Sequence, residues 1–178
     1  MVESQVRIRP AEREDVPTVV LISRTSVTDE EVSGFGVPVT ESRAEEVDRI
    51  LSSWIGNGRA GAQELLVAER DGLVVGCVKI EERGDDLELV DIDVLRPMQG
   101  QGIGKSLVTY VEELARERRK RAVTLGTSRN SAGVAWMSLP WWTSIGYSVT
   151  HEEENDWTRS IAPGVREIRM RKGISHPD

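Results

Sequence analysis

The 178-residue sequence has few of the residues from which disulfides and metal sites are made. Its single cysteine, Cys77, excludes an internal disulfide, and we expect it to be buried in a strand, as free cysteines usually are. The two histidines, His151 and His176, lie far apart and show no zinc-ligand spacing. We therefore expect no metal site.

Apolar runs of membrane-spanning length are absent as well. A bilayer requires about 20 consecutive apolar residues, whereas the apolar runs here are short, so we expect no membrane segment. The N-terminal residues lack the cationic and then apolar pattern of a secretory signal. Together with the lone cysteine, this predicts a cytoplasmic protein.

Positive charge is in deficit, because 23 Lys and Arg residues stand against 30 Asp and Glu residues, giving a formal net charge of -7. Nucleic-acid binding depends on clustered cations, so we expect no nucleic-acid partner. An acidic surface suits a cationic amine, and it leaves room for one anion pocket built from backbone N–H groups. The hydrophobic fraction of 38% and the charged fraction of 30% are typical of one globular domain, assigned to residues 1–178.

The predicted secondary structure alternates strands and helices, with no repeat and no linker. Asp71-Gly72 between two apolar runs is a strong hairpin signal. We expect Pro140 to separate two helical segments. Strands are predicted at 6–9, 64–69, 73–81, 87–95, 122–126, 147–151 and 166–171. Helices are predicted at 12–22, 41–54, 105–121, 132–137 and 141–145.

A glycine-rich turn at residues 99–105 (QGQGIGK) separates the strand 87–95 from the clearest helix of the chain. Glycines in alternate positions let the backbone approach a ligand closely. The helix that starts here points its unpaired N–H groups and positive dipole end at the same place. Because this geometry binds phosphate groups, the turn is the predicted ligand site.

Three phosphate-binding motifs compete for this turn. A P-loop would end at residues 104–106 (GKS), but it requires a glycine where Gln99 stands. A dinucleotide fingerprint matches the first two glycines, but it requires a third glycine at position 105. The third motif, Gln/Arg-x-x-Gly-x-Gly/Ala, is matched in full by Gln99, Gly102 and Gly104.

The third motif resembles the acyl-CoA loop of GNAT-type N-acetyltransferases, and further segments resemble that family in the same order. Residues 8–16 look like its first strand and helix, and residues 66–76 look like its central hairpin. Asn130 and Gly146-Tyr147 resemble the Asn and the Gly-Phe/Tyr pair that the family has downstream of the loop. The resemblance covers nearly the whole chain. It implies an α/β (α+β) fold, in which a single mixed, mostly antiparallel twisted sheet with splayed central strands is flanked by helices.

The resemblance also implies an enzyme. It would transfer an acetyl group from acetyl-CoA, bound as co-substrate, directly to the primary amine of a small molecule or peptide in a ternary complex, with no metal. By analogy a homodimer is allowed. The N–H of Leu95 would polarise the thioester carbonyl. The implied cofactor-binding residues are Val94, Leu95, Gln99, Gly100, Gln101, Gly102, Ile103, Gly104, Lys105 and Asn130.

We expect the catalytic base among the carboxylates of the strand 87–95 and of Asp86, which directly precedes it, because an ammonium must lose a proton before it attacks. Glu88 ranks first, since the family's base commonly lies well before the last valine of this strand, and Asp86 and Asp91 follow. Asp93 is the fourth candidate. By alternation Asp91 and Asp93 share a face with Leu89, and Glu88 lies opposite unless a bulge intervenes.

Two departures from the family pattern leave alternatives open. Trp142 stands where many members have a tyrosine that protonates the leaving thiolate, which an indole N–H does not do. With Trp136 and Trp141, it forms either core or a substrate-binding wall. The stretch from Asn130 to Trp142 is also longer than in the family, which bears on the cofactor contact of Asn130. A non-catalytic acyl-CoA-binding sensor or regulatory domain of the same fold is therefore the alternative function.

Overall fold

A seven-stranded mixed sheet is formed in the computed structural model, which describes residues 5–28, 31, 35, 41–55 and 63–178. The strands are β1 Arg7–Pro10, β2 Gln63–Arg70, β3 Leu73–Arg83, β4 Asp86–Val94, β5 Ala122–Arg129, β6 Ser148–Glu153 and β7 Arg166–Gly173. Their order is β1-β2-β3-β4-β5-β7-β6. All neighbours are antiparallel except β4 and β5, which are parallel.

Helices cover both faces of the sheet. In the described part of the chain they are α1 Val16–Thr25, α2 Arg43–Ser53, α3 Ile103–Glu117, α4 Leu139–Ser144 and α5 Asp156–Ile161. None of them is long and apolar enough to cross a bilayer. The mixed, mostly antiparallel sheet with flanking helices confirms the predicted fold class.

The two faces of the sheet build two apolar clusters. On one face the fully buried side chains of Leu107 and Val111 from α3 pack against strand residues such as Leu125. On the other face α1 and α2 cover β2 and β3, where Cys77 is 3% exposed, which confirms it as a buried strand residue. The stripe of apolar residues at helical spacing thus places α3 directly beneath the central strands.

Two predictions for the segment after β5 are wrong in detail, and one short helix was missed. Residues 132–137 form a turn instead of a helix, because the Asn130 side chain accepts from the N–H groups of Ala132 and Val134 and competes with helical bonding. Pro140 does not separate two helices but lies in the first turn of α4, where a missing N–H costs nothing. The short helix α5 was not predicted, although Asn155 and Thr158 form a capping box at its start.

A β-bulge in β4 decides which carboxylates share a face. Lys79 lies opposite Asp91 and Ile80 lies opposite Leu89, so Val90 has no partner in the register. Asp93 lies opposite Cys77, on the face covered by α1 and α2, whereas Leu89 packs in the cluster under α3. The expectation that Asp91 and Asp93 share a face with Leu89 is therefore wrong, because the extra residue reverses the alternation.

The central strands separate immediately after this bulge. The parallel pairing of β4 with β5 runs from Asp86 opposite Ala122 to Leu89 opposite Leu125 and then stops. Beyond this point β4 remains paired with β3, and β5 remains paired with β7. The splayed central strands are thus present, and they leave a gap on the carboxyl side of both strands.

A buried ion cluster joins the two halves of the sheet just before they separate. The Glu88 side chain is 4% exposed and accepts two hydrogen bonds from Arg169 of β7, at 2.8 and 2.7 Å. The Thr124 hydroxyl of β5 donates to the same carboxylate, and the Arg83 guanidinium lies 3.3 Å away. Burial acts to raise the pKa of Glu88, but these hydrogen bonds and cations outweigh it and hold the pKa below its usual value.

Removing the cation from this cluster is expected to destabilise the fold. Arg169→Met leaves the buried Glu88 carboxylate without its two-point partner, and we expect the free energy of unfolding to fall by about 3 kcal/mol. Arg171→Met is the matched control, because Arg171 is 43% exposed and only 3.8 Å from Asp86. It should cost about 1 kcal/mol or less.

Urea unfolding of both variants measures the difference. The double variant Glu88→Gln with Arg169→Met should regain part of the loss, since it removes the stranded charge. Equal midpoints for Arg169→Met and Arg171→Met would contradict the structural role of the cluster.

Candidate active site

A cleft of about 610 Å³ occupies the gap where β4 and β5 separate. The second half of β4 forms its floor, and residues Leu125–Thr127 of β5, where the two strands begin to separate, form its far wall. The glycine-rich turn before α3 closes one end. Of the predicted cofactor-binding residues, those that line it are Val94, Gln99, Gly100, Gly102, Ile103, Gly104 and Lys105. The predicted phosphate turn and the strand gap are therefore one continuous site.

The glycine-rich turn presents bare backbone to this cleft. Gly102 is the N-cap of α3 with φ +82°, and Gly100 has φ +75°, a left-handed conformation that favours glycine. Apart from the chain neighbours, no atom of the described residues lies within 4 Å of where a side chain would begin at either position. The first hydrogen bond at the start of α3 runs from Ser106 N–H to the Gly102 carbonyl. The preceding N–H groups of the turn are thus free of helical partners and suit an anion.

Gln99 holds this turn in place. Its side-chain amide donates to the Ser26 carbonyl at 2.7 Å and to the Val94 carbonyl at 3.1 Å. It thereby ties the turn to the end of α1 and to the end of β4. Gln101 lies outside the cleft lining, where its amide donates to the Pro97 carbonyl and its oxygen accepts from Arg70.

The backbone N–H that faces the cleft belongs to Val94 and not to Leu95. Leu95 donates its N–H to the Val75 carbonyl at 2.8 Å, so the expectation that this N–H polarises a ligand carbonyl is wrong. Val94 lies opposite Gly76 at the next position of the ladder. Because N–H groups alternate sides along an antiparallel strand, that of Val94 points away from β3 and towards the gap.

Asp93 is a partly buried carboxylate that the fold brings into the cleft. Its Oδ1 accepts from the Ser26 hydroxyl at 2.7 Å. Burial, followed by the charge of Asp91, raises the pKa of Asp93 to about 7, while the hydroxyls of Ser26 and Ser23 and the charge of Lys79 act in the opposite direction. A carboxylate that titrates near neutral pH is suited to proton transfer.

The three carboxylates ranked highest from the sequence lie in different surroundings. Asp91 lines the cleft with its side chain 49% exposed and 4.0 Å from Lys79. Glu88 lies outside the cleft lining in the buried ion cluster described above. Asp86 lies outside it too, at the other end of β4 and 3.8 Å from Arg171. The bulge leaves a local signal in the sequence, because the apolar positions change phase from Leu87 and Leu89 to Val90, Ile92 and Val94.

Tryptophans form the wall opposite β4. Trp136, Trp141 and Trp142 all line the cleft. Trp142 is 4% exposed and packs edge-on against Trp141 and Tyr147, with ring centroids 4.6 and 5.3 Å apart, so it belongs to the core as well as to the wall. Phe35 of the segment after α1 meets Trp136 edge-on at 5.2 Å.

Phenol groups are absent from the cleft lining in the described residues. The Tyr147 hydroxyl donates to Glu112 at 3.1 Å, and its burial and the Glu112 charge raise its pKa. Tyr110 lies on the outer side of α3, in a separate groove. The Asn130 side chain also lies outside the lining and accepts two backbone N–H groups in its own turn. Within the described ranges, no group of three or more His, Cys, Asp or Glu side chains is placed to hold a metal ion.

Comparison with known proteins places this geometry in a family. Residues 25–136, more than half of the chain, match the model of the Acetyltransferase (GNAT) family. The fold is similar to that of the ribosomal-protein-S18-alanine N-acetyltransferase from Escherichia coli, with a TM-score of 0.69 and 16% identity over 98% of this chain and 97% of that chain.

Two further solved structures have the same fold. For Ard1 from Thermoplasma volcanium the TM-score is 0.68, with 17% identity over 96% of this chain and 99% of that chain. For the PaiA N-acetyltransferase from Thermoplasma acidophilum, which was solved in complex with coenzyme A, the TM-score is 0.66, with 17% identity over 95% and 99% of the two chains. The splayed strands, the glycine turn and the family match agree, and the chain belongs to the acetyltransferase (GNAT) family.

Proposed function

We propose that this protein transfers an acetyl group from acetyl-CoA directly to a primary amine, with both substrates bound in the cleft. The observation that carries the proposal is the strand gap that ends on the open glycine turn. An extended thioester arm fits between β4 and β5, and a pyrophosphate fits the free N–H groups at the start of α3. The coenzyme A complex of a protein with the same fold supports this choice of co-substrate.

The cofactor would be held largely by backbone. We infer that the N–H groups of the turn from Gly102 to Lys105 bind the pyrophosphate, helped by the Lys105 charge. The Val94 N–H would donate to the thioester carbonyl and stabilise the charge that develops there during attack. Direct cofactor contacts by Leu95, Gln101 and Asn130 stay predictions, as do a cytoplasmic location and a homodimer.

We assign the general base to Asp93. Its carboxylate would take a proton from the ammonium of the acceptor, and the freed amine nitrogen would attack the thioester carbon. The C–S bond then breaks, the thiolate leaves with the electron pair, and the second proton lost by the amine nitrogen passes to the thiolate through solvent, which leaves a neutral amide. A thiol of ordinary pKa, about 8.5, is a competent leaving group near neutral pH, so Trp142 in place of a tyrosine does not prevent transfer. Asp91 and Asp86 stay secondary candidates, and Glu88 is assigned to the ion cluster.

A non-catalytic acyl-CoA-binding domain is the second candidate. The absence of a phenol from the cleft lining in the described residues favours it. The two functions differ in one observable, because a sensor binds acetyl-CoA without turning it over for any amine.

A carboxylate placed on the turn should abolish cofactor binding. Gly104 lies in the first turn of α3, and a side chain there starts 3.8 Å from the Trp141 ring, inside the cleft. Gly104→Glu should weaken acetyl-CoA binding by at least about 100-fold, because the new charge meets the pyrophosphate. Isothermal titration calorimetry measures the affinity.

Gly173→Glu is the matched control, since apart from its chain neighbours no described residue lies within 4 Å of where a side chain would begin at that position. It should bind acetyl-CoA as the unchanged protein does. ATP with magnesium, titrated in parallel, should not compete. Unchanged acetyl-CoA affinity in a folded Gly104→Glu variant would remove the assignment of the turn.

The activity should rise with pH through a pKa near 7. Only the ionised Asp93 accepts a proton, and its pKa is raised to about 7, so kcat at saturating amine should increase from pH 6 to pH 8. Asp93→Asn should lower kcat by about 10²-fold to 10⁴-fold and remove this pH dependence. Asp91→Asn, which changes an exposed carboxylate on the same strand, should keep a pH-dependent kcat but move its midpoint to lower pH, because the Asp91 charge helps to raise the Asp93 pKa. A folded Asp93→Asn variant with full kcat and an unchanged profile would refute the assignment.

A further inference from the structure

The acceptor end of the cleft is lined by acidic side chains and by no basic one in the described residues. Among the charged residues that line the cleft in the described part of the chain, three are acids, Glu31, Asp91 and Asp93. Of the described residues, the one cation of the lining is Lys105, which lies in the turn that would hold the cofactor pyrophosphate. The charged side chains that line the other end in the described residues are therefore all carboxylates.

The arginines around this end are already paired. Arg96 donates to Glu31 at 2.8 Å, Arg129 to Glu152 at 2.6 Å, and Arg169 to Glu88 in the buried cluster. Lys79 lies 4.0 Å from Asp91 and is engaged there as well. Among the described residues around this end, the cations named are thus already engaged by carboxylates of the protein, and a carboxylate on the acceptor would have to compete for them.

The rest of this end is apolar. Met137 is 54% exposed and lines the cleft beside Trp136 and Trp141, and Val90 lines it from the bulge of β4. Aromatic and thioether surfaces bind an apolar body, and the face of an aromatic ring also binds an ammonium. An acceptor with a hydrocarbon or aromatic body is complementary to this wall.

We infer that the acceptor is a primary amine joined to an apolar body and lacking a carboxylate next to the amino group. The inference rests on the proposed acetyl transfer and names its substrate class. A carboxylate on the carbon that bears the amine would be desolvated beside Asp93 and would have to compete for cations that are already engaged, which is strongly unfavourable. The ammonium itself is attracted by the same acids. The cleft therefore discriminates between an amine and the corresponding amino acid.

The test compares amines with the amino acids that differ from them by one carboxylate. The pairs are phenethylamine and phenylalanine, tryptamine and tryptophan, and pentylamine and norleucine. Acetyl transfer is followed by release of the CoA thiol and by the mass of the product. We expect kcat/KM to favour each amine by at least about 100-fold. Phenylalaninamide, which keeps the bulk of the carboxylate without its charge, should behave like phenethylamine.

A cation added to the wall should reduce the preference, measured as a ratio of kcat/KM values, for an amine over the corresponding amino acid. Met137→Lys places an ammonium at the exposed rim of the cleft and should raise kcat/KM for phenylalanine by about 10-fold. Val134→Lys is the matched control, because Val134 is 55% exposed on the same segment and lies outside the cleft lining. It should leave the ratio of the two substrates unchanged. Equal effects of the two lysines would overturn the electrostatic explanation.

The outcomes separate this inference from the proposed function. Transfer to the amino acids as fast as to the amines overturns the substrate class and leaves acetyl transfer standing. Transfer to no member of the panel, with acetyl-CoA binding intact by calorimetry, overturns acetyl transfer itself and the substrate class with it. Preference for the amines, narrowed by Met137→Lys, supports both.

Discussion

The parallel pairing of β4 with β5 stops after Leu89 and Leu125, and the site depends on that interruption. The bulge at Val90 turns β4 away while β3 still holds it, so the backbone of Val94 faces a gap instead of a strand. The same gap leads to the turn in which α3 begins. One local irregularity therefore creates the slot for an extended ligand, exposes an N–H to it and aligns it with the positive end of a helix.

Opening a sheet in its middle has an energetic cost, and the surrounding structure offsets it. Apolar packing of α3 spans both sides of the gap, and Glu88 with Arg169 joins β4 to β7 across β5. Asp93 adds a second cost. Its folded-state pKa of about 7 lies above the ordinary value of 3.8, so the native state binds the proton more tightly than the unfolded state. The stability from this group is present at low pH and is lost as the pH rises towards 7, where the proposed reaction would need the ionised carboxylate.

The sequence allows the cofactor turn to be predicted because its signal is local. Spacing of Gln99, Gly102 and Gly104 encodes a backbone shape that no distant residue has to supply. Sheet membership and α3 were predictable for the same reason, from apolar periodicity. The proposed base was not predicted correctly from the sequence. The choice between Glu88 and Asp93 depends on a bulge and on Arg169, which is eighty-one positions away from Glu88 in the chain. Arg169 pairs with Glu88, the first-ranked carboxylate, and holds it in the ion cluster. Asp93, the fourth candidate, lines the cleft.

Charge is divided along this single cleft. The end near α3 combines free N–H groups, the helix dipole and Lys105, and it suits a polyphosphate. The other end combines Asp93, Asp91 and Glu31 with tryptophan faces, and it suits an ammonium on an apolar body. In the proposed reaction each substrate would be repelled from the other's end, so a chain with a net charge of -7 would still bind a strongly anionic cofactor in one orientation. The reacting carbonyl and amine would then meet between the two ends, beside the Val94 N–H and the Asp93 carboxylate.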